Sequence, residues 1–168
     1  MRILGVDPGT VNMGWGVIES DNAQTAYVNC GILKQQSGSE MGGRLLFFYE
    51  ELLKIIEKYH PAVCAVESPF VGENIRSAFV LGKAQGIAIL AAAAKGLRVV
   101  EYPPNLVKQR LSGYGHSSKE QMQTMLALLL NMENLPKQTD ATDALAIALC
   151  HHMQEQINGL MPEGTTAK

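Results

Sequence analysis

The feature that most constrains this chain is a short apolar strand that ends on a carboxylate. Residues 2–6 read RILGV, and the run continues directly into Asp7, Pro8, Gly9 and Thr10. A tight turn of this kind places backbone N–H groups beside the carboxylate, which is typical of sites that hold a metal ion and a phosphate. The motif is short, so its meaning depends on which other carboxylates the fold brings to the same place.

Hydrophobic periodicity predicts an α/β fold. The first 33 residues indicate three sequential antiparallel strands, and apolar side chains three and four apart over residues 40–59 indicate a helix. The later predicted elements are a buried strand at 62–67, a long helix at 73–95, a strand at 97–102, a short helix near 103–110, a helix capped by Ser117 or Ser118, and a final helix from about 140 to 156.

Length and composition predict one domain. A chain of 168 residues with 46% hydrophobic residues can bury a substantial core, but it is short for two domains. The segment 157–168 has Gly, Pro and Thr without periodicity. We therefore expect a single domain over residues 1–156 and a disordered C-terminal tail over residues 157–168.

Cysteine usage and hydropathy predict a cytoplasmic protein. Cys30, Cys64 and Cys150 lack CxxC spacing, so they suggest neither a disulfide framework nor a zinc site. Asp7 interrupts the first apolar run, which argues against a cleaved export signal. No apolar run approaches the roughly 18 residues that span a bilayer, so we expect no membrane segment.

Charge is distributed unevenly along the chain. The net charge of −2 and the pI near 6.1 argue against a protein coated with basic residues. Residues 76–119, however, hold seven basic side chains against one acid, a net charge of +6, whereas 1–75 and 120–168 each carry −4. One stretch of the chain is therefore positive and both flanks are negative.

Four carboxylates are predicted to meet at one edge of the sheet. Asp7 and Glu67 end strands, and Asp140 and Asp143 lie three apart at the start of the final helix. Open α/β sheets bind ligands at the carboxyl ends of their strands. Four adjacent carboxylates repel one another, and two divalent cations balance their charge. Oxygen ligands without nearby His or Cys favour Mg²⁺ or Mn²⁺, and a pair of such ions promotes phosphodiester cleavage.

Each of these acids also has a structural interpretation. Asp140 and Asp143 suit a helix cap or the positive end of a helix dipole. Glu67 marks a point where a strand can reach water. The functional interpretation therefore rests on convergence of the four acids rather than on any one of them.

Four segments carry a resemblance to a known family, and they are ILGVDPGTVNMGWGVIE, AVESPFVGENIRSAFVLGKAQGIAI, YPPNLVKQRLSGYGHSSKEQM and TDATDALAIALCH. In these motifs, their order and their spacing, the chain resembles the RuvC family, bacterial Holliday-junction resolvases of the RNase H-like superfamily. The resemblance ends near residue 153. It implies a five-stranded mixed sheet flanked by helices. It also implies a structure-selective endonuclease that makes paired symmetric nicks in strands of like polarity during DNA recombination and repair.

The resemblance also assigns the four acids. It implies that Asp7, Glu67, Asp140 and Asp143 are the catalytic residues and that they bind two Mg²⁺ ions per active site, with Mn²⁺ able to substitute. The third acid can be His within the family, and here it is Asp140.

The resemblance implies three DNA contacts. Lys108 and Lys119 match the family's DNA-contacting lysines, and both lie in the positive stretch. Phe70 is expected to stand beside the active site and stack on a base near the junction crossover. Without the resemblance, the lysines would be interpreted as ordinary solvated residues and Phe70 as part of the core.

The nature of a four-way junction indicates a dimer. Paired nicks from one active site per chain require two-fold symmetry, and the family is homodimeric. The helix at 73–95, with Gly82 and Gly86 four apart, is the expected interface, although such small residues also suit packing against the sheet. By resemblance, the partners are junction DNA and the branch-migration proteins RuvA and RuvB.

Three of the four histidines are expected to have no role in the active site. His116, His151 and His152 have no metal-binding spacing with the acids. We expect them at loop positions or on solvated helix faces.

Two other functions fit part of the pattern. An actin-like or sugar-kinase-type ATPase also begins with a strand that runs into an Asp, Gly and Thr phosphate turn, but it needs a second half that 168 residues cannot supply. A catalytically silent RNase H-like DNA-binding module would be expected to lack at least one of the four acids, and all four are present.

Overall fold

The computed structural model describes residues 1–21, 24–35, 38–68, 75–113 and 118–160. In chain order its elements are β1 (Arg2–Asp7), β2 (Asn12–Ser20), β3 (Thr25–Lys34), α1 (Met41–Tyr59), β4 (Val63–Glu67), α2 (Ile75–Ala94), β5 (Arg98–Tyr102), α3 (Pro104–Ser112), α4 (Lys119–Leu129) and α5 (Thr139–Leu160).

The five strands form one mixed sheet in the order β3-β2-β1-β4-β5. The pairs β1-β2 and β2-β3 are antiparallel, whereas β1-β4 and β4-β5 are parallel. This arrangement confirms the predicted antiparallel start and the mixed sheet. Because β1, β4 and β5 run in one direction, their carboxyl ends share one edge, where Asp7 and Glu67 are the last residues of β1 and β4.

Helices cover both faces of the sheet. α1 and α2 pack over one face, where Leu4, Phe48 and Leu52 are buried. α3, α4 and α5 pack over the other, where Ile3 and Leu145 are buried. The apolar stripe that predicts α1 is the side of that helix that faces the sheet.

Helix ends follow local sequence signals. α1 ends where predicted, because His60 adopts a left-handed φ of 47° and its N–H donates to the carbonyl of Ile56 at 2.9 Å. Of the two predicted caps for α4, the structure uses Ser118. The Ser118 Oγ accepts a hydrogen bond from the Gln121 N–H, and the Gln121 side chain accepts one from the Ser118 N–H.

α5 is longer than the sequence predicts. It extends to Leu160, four residues past the predicted end at 156, so the first residues assigned to a tail are helical. Residues 161–168 lie outside the described part of the chain. The single domain over 1–156 and the disordered tail therefore stay predictions.

The expected solvated position of His151 is wrong. Its side chain is 0% exposed. The Tyr102 hydroxyl lies 2.7 Å from its Nδ1, and Arg98 Nη2 lies 3.3 Å from its Nε2. The sheet covers one side of α5, and α3 and α4 cover another, so this position faces the interior. His152 is half-buried, and its Nδ1 lies 2.8 Å from Ser20 Oγ.

α2 is apolar over a length that the sequence analysis did not expect in this chain. Its 20 residues, Ile75–Ala94, are long and apolar enough to span a membrane by length and composition, with a mean hydropathy of 1.5 and only 22% of the segment buried. Two charged residues interrupt the run, which is why inspection of uninterrupted stretches missed it. Core helices of soluble proteins pass the same test. Ala84 and Ala88 are buried here, whereas Phe79 and Leu90 are 73% and 54% exposed.

Two glycines allow α5 to lie directly on the sheet. A Cβ at Gly5 would stand 2.0 Å from the carbonyl oxygen of Ala144, and one at Gly14 would stand 2.0 Å from that of Asp140. Both neighbours are backbone atoms, so a side chain at either position would displace the helix. β1 and β2 thus hold the first turns of α5 at backbone contact distance.

Gly5→Ala and Gly14→Ala are expected to lower the free energy of unfolding by about 1–3 kcal/mol or more, because overpacking against backbone has no flexible side chain to relieve it. The matched control is Gly43→Ala in α1, where an added Cβ meets nothing within 4 Å. That control should leave stability unchanged or raise it by up to about 1 kcal/mol. Urea unfolding measures all three, and wild-type stability in Gly14→Ala would contradict the contact.

Candidate active site

Two of the predicted acids end adjacent parallel strands. Alternation with Ile3 and Gly5 places the Asp7 side chain on the face that α5 covers. Alternation with Ala65 places Glu67 on the same face. The parallel register of β1 and β4 brings the two carboxylates to one level of the sheet.

The other two acids reach this edge through the first turns of α5. Gly14 is the partner of Asp7 in the β1-β2 ladder, and it also contacts the backbone of Asp140. Strand pairing and the glycine contact together place the start of α5 beside Asp7. Asp143 lies three residues further along the same side of the helix. The structure therefore brings the four predicted acids to one edge.

Burial and mutual repulsion raise the pKa values of Asp7, Glu67 and Asp143. Burial is the main cause at Asp7, whose pKa rises to about 7, and the charges of Glu67, Asp143 and Asp140 add to the rise. Burial likewise raises the pKa of Glu67 to about 7, with Asp143 adding to it. The pKa of Asp143 is also raised, chiefly by burial. Positive charge would relieve the repulsion between these carboxylates, so the site favours a bound cation.

Lys108 and Lys119 are exposed and lie close enough to act on the acids. Against the larger effect of burial, Lys119 lowers the pKa values of Asp7 and Asp143, and Lys108 lowers those of Glu67 and Asp143. Both lysines therefore place positive charge beside the edge of the sheet that carries the four acids, the carboxylate edge. They belong to α3 and α4 rather than to the sheet.

A cavity of about 270 Å³ opens beside the acids and between α3, α4 and α5. Two acids, two lysines and an apolar floor line it, including Glu67, Asp143, Lys108, Lys119, Val107 and Leu126. The carboxylate edge is therefore one wall of a larger concave surface rather than an isolated cluster.

Sequence analysis predicted Lys119 of α4 at this site but missed two other residues of that helix. Met122 and Gln123 line the cavity. They follow Lys119 by three and four residues and so share its side of the helix, a spacing that is visible in the sequence. Thr142 lines it too, and its Oγ1 donates a hydrogen bond to the carbonyl of Thr139 at 2.7 Å.

The described residues confirm neither the predicted role of Phe70 nor the predicted metal site. Phe70 and His116 lie outside them, so base stacking by Phe70 stays a prediction. Within the ranges that the structure describes, no three His, Cys, Asp or Glu side chains are grouped closely enough to hold a metal ion. The chemistry of the donor set nevertheless suits a hard divalent cation, because it consists of carboxylate oxygens.

Known proteins are similar to this chain in sequence and in architecture. A family model described as crossover junction endodeoxyribonuclease RuvC matches residues 3–151. A crossover junction endodeoxyribonuclease RuvC from Dehalococcoides mccartyi is 46% identical over 164 residues, which cover 98% of this chain and 98% of that protein. The chain belongs to the RuvC family.

Other RuvC proteins agree in sequence and in fold. One from Chloroflexus aggregans is 47% identical over 151 residues, covering 90% of this chain and 92% of that protein. The structure of Thermus thermophilus RuvC in complex with Holliday junction substrate superposes with a TM-score of 0.88 at 30% identity, covering 94% of this chain and 96% of that one. These matches confirm the RNase H-like α/β fold.

RuvC family membership confirms the predicted class of enzyme, a metal-dependent nuclease that hydrolyses phosphodiester bonds. It also decides against the ATPase-fragment interpretation, because the match spans nearly the whole chain rather than half of a larger fold.

The stability of the metal-free protein is expected to fall as the pH rises from about 4 to about 7. Asp7 and Glu67 have ordinary pKa values of 3.8 and 4.5 and folded values of about 7, so the folded chain holds their protons more tightly. The resulting stability is present below the unfolded pKa values and is lost as the pH approaches the folded ones.

Chemical denaturation in a chelator at pH 5 and pH 8 measures this loss. The decrease should be larger in the wild type than in Asp7→Asn, by an amount on the order of 1–3 kcal/mol, because the variant has no ionisable group at this position. Identical decreases in the two proteins would contradict the raised pKa of Asp7.

Proposed function

We propose that this chain is a structure-selective endonuclease that resolves Holliday junctions by paired symmetric nicks in strands of like polarity, in DNA recombination and repair. The observation that carries the proposal is the convergence of carboxylates from β1, β4 and α5 beside two exposed lysines. Membership in the RuvC family supports the junction as substrate.

Two Mg²⁺ ions per active site are proposed as cofactors, with Mn²⁺ able to substitute. Asp7, Glu67, Asp140 and Asp143 would hold them, because four partly buried carboxylates that repel one another gain most from added positive charge. When bound, two such metal ions would stabilise the charge on the attacking and leaving oxygens of the phosphodiester. The four side chains would bind and orient the ions.

Lys108 and Lys119 are proposed to bind phosphates of the junction strands. They extend from α3 and α4 on the side of the acids where the cavity opens, so they can hold a strand across the carboxylate edge. Lysine suits this task because a backbone phosphate needs a point charge rather than a specific edge. Phe70 is proposed to stack on a base near the crossover.

Replacement of any one acid by its amide should abolish most cleavage while junction binding survives. For Asp7→Asn and Glu67→Gln we expect a loss of about 10²–10³-fold or more in the cleavage rate, comparable to removal of one charge-stabilising group from other active sites. Binding in a chelator should be retained, because Lys108 and Lys119 remain.

The matched control is Glu133→Gln, which neutralises an exposed acid in the segment between α4 and α5. Nicking of a synthetic four-way junction with Mg²⁺, together with gel-shift binding in a chelator, separates the two steps. A folded Asp7→Asn protein that cuts at the wild-type rate would overturn the assignment of the acids.

We infer a homodimer that associates through α2. Ile75, Phe79 and Leu90 are 59%, 73% and 54% exposed, and an added Cβ at Gly82 or Gly86 would meet nothing within 4 Å. These positions follow a spacing of three and four residues, so they form one open stripe along the helix. An apolar stripe with small residues at its centre accepts the same helix of a second copy, related by a two-fold axis.

RuvA and RuvB are proposed as partners that bring the junction to the dimer in the cytoplasm. Membership in the RuvC family supports this partnership.

Phe79→Glu is expected to convert the dimer to a monomer, because it places a charge in the centre of the apolar stripe. The control is Leu128→Glu on α4, where the side chain is 69% exposed and lies on another surface. Sedimentation velocity reports the oligomeric state of both. A dimeric Phe79→Glu protein would exclude this stripe as the interface.

A further inference from the structure

We propose that the cavity between α3, α4 and α5 receives one unstacked nucleobase of the strand being cut, and that the Gln123 amide hydrogen-bonds to the edge of that base. This inference rests on the proposed junction cleavage and names the part of the substrate that the site reads.

The size and lining of the cavity suit a single base. Its volume of about 270 Å³ lies just below the range of about 300–1,000 Å³ for small-molecule sites, so it has room for one ring system but not for a base pair. Val107, Leu126 and Ala146 come from three different helices and are 4%, 2% and 3% exposed, and they form an apolar floor. A planar, largely apolar base face is complementary to such a floor.

The charges around the cavity indicate where the sugar-phosphate chain would run. Lys108 and Lys119 are exposed where they line it, and Glu67 and Asp143 form part of the same wall. A strand held by the lysines places a phosphate over the acids and the neighbouring base toward the apolar floor. The base in the cavity would therefore belong to a nucleotide adjacent to the cleaved phosphate.

Gln123 is the polar group best suited to contact this base. Within the part of the chain that the structure describes, the side-chain amide of Gln123 forms no hydrogen bond. Thr142 also lines the cavity, but its hydroxyl already donates to the carbonyl of Thr139. A glutamine amide presents a donor and an acceptor side by side, which matches the paired donor and acceptor on the edge of a base.

A base-sized cavity also gives a physical reason for junction selectivity. Extrusion of a base from an intact duplex requires the base to be unpaired and unstacked, and this cost is least where pairing is already disturbed. A junction crossover provides such nucleotides and a continuous duplex does not. The cavity would therefore bind the junction strand and disfavour ordinary DNA without any contact to the junction as a whole.

The test uses junctions with 2-aminopurine or an abasic residue at the nucleotide on either side of the cut. With wild-type protein in a chelator, 2-aminopurine fluorescence should rise at one of the two positions. Gln123→Leu, which keeps the side-chain size but removes the amide, should cut the normal junction about 10-fold more slowly, as expected for loss of a good base contact. On a junction that is abasic at the reported position, Gln123→Leu and wild type should cut at equal rates.

The matched control is Gln109→Leu, on an exposed face of α3 away from the cavity, which should behave as wild type on both junctions. Ala146→Met, which fills the cavity from its floor, provides a second test and should also be rescued by the abasic junction. An unchanged 2-aminopurine signal at both positions, or a Gln123→Leu defect that persists on the abasic junction, would overturn the inference. Failure of the wild type to cut any junction would instead overturn the proposed function.

Discussion

The backbone contact between α5 and the first two strands determines how the rest of the site is built. Gly5 and Gly14 leave no room for a side chain, so the helix that carries Asp140 lies against the strand ladder that carries Asp7. Two acids that are more than 130 residues apart in sequence are thereby fixed side by side. The carboxylate edge thus depends on the absence of side chains as much as on the acids themselves.

The same burial that organises the acids opposes folding of the metal-free chain. Asp7 and Glu67 have pKa values raised to about 7, chiefly by burial, and each is repelled by other members of the cluster. The fold therefore pre-forms a site that is unfavourable until positive charge arrives. Binding of cations would recover this energy as stability, because a ligand that binds only the folded state shifts the equilibrium toward it.

The sequence predicts those parts of the molecule that depend on local pattern. Strand alternation, helix periodicity and the Ser118 cap are local, and the four acids could be singled out because each ends a strand or lies in the first turns of a helix. Local pattern gives the wrong environment for His151, because its burial depends on the sheet, α3 and α4 all covering α5. The cavity beside Gln123 depends on three helices at once, and the exposed stripe of α2 depends on what the fold leaves uncovered.

The basic residues of the positive stretch have different surroundings in the fold. Lys95 forms an ion pair with Glu57 at 2.6 Å, and Arg98 forms one with Glu155 at 3.2 Å, so these two cations are paired within the fold. Among the described residues, neither Lys108 nor Lys119 forms an ion pair within 4 Å, although both act on the acids. Because exposed ion pairs contribute little stability, the fold gains little from its paired cations. Lys108 and Lys119 lie beside the acids, where they line the same cavity as Glu67 and Asp143. Average charge over the stretch therefore identifies the segment that reaches the acids, but only the fold shows which of its cations are paired with acids of other elements.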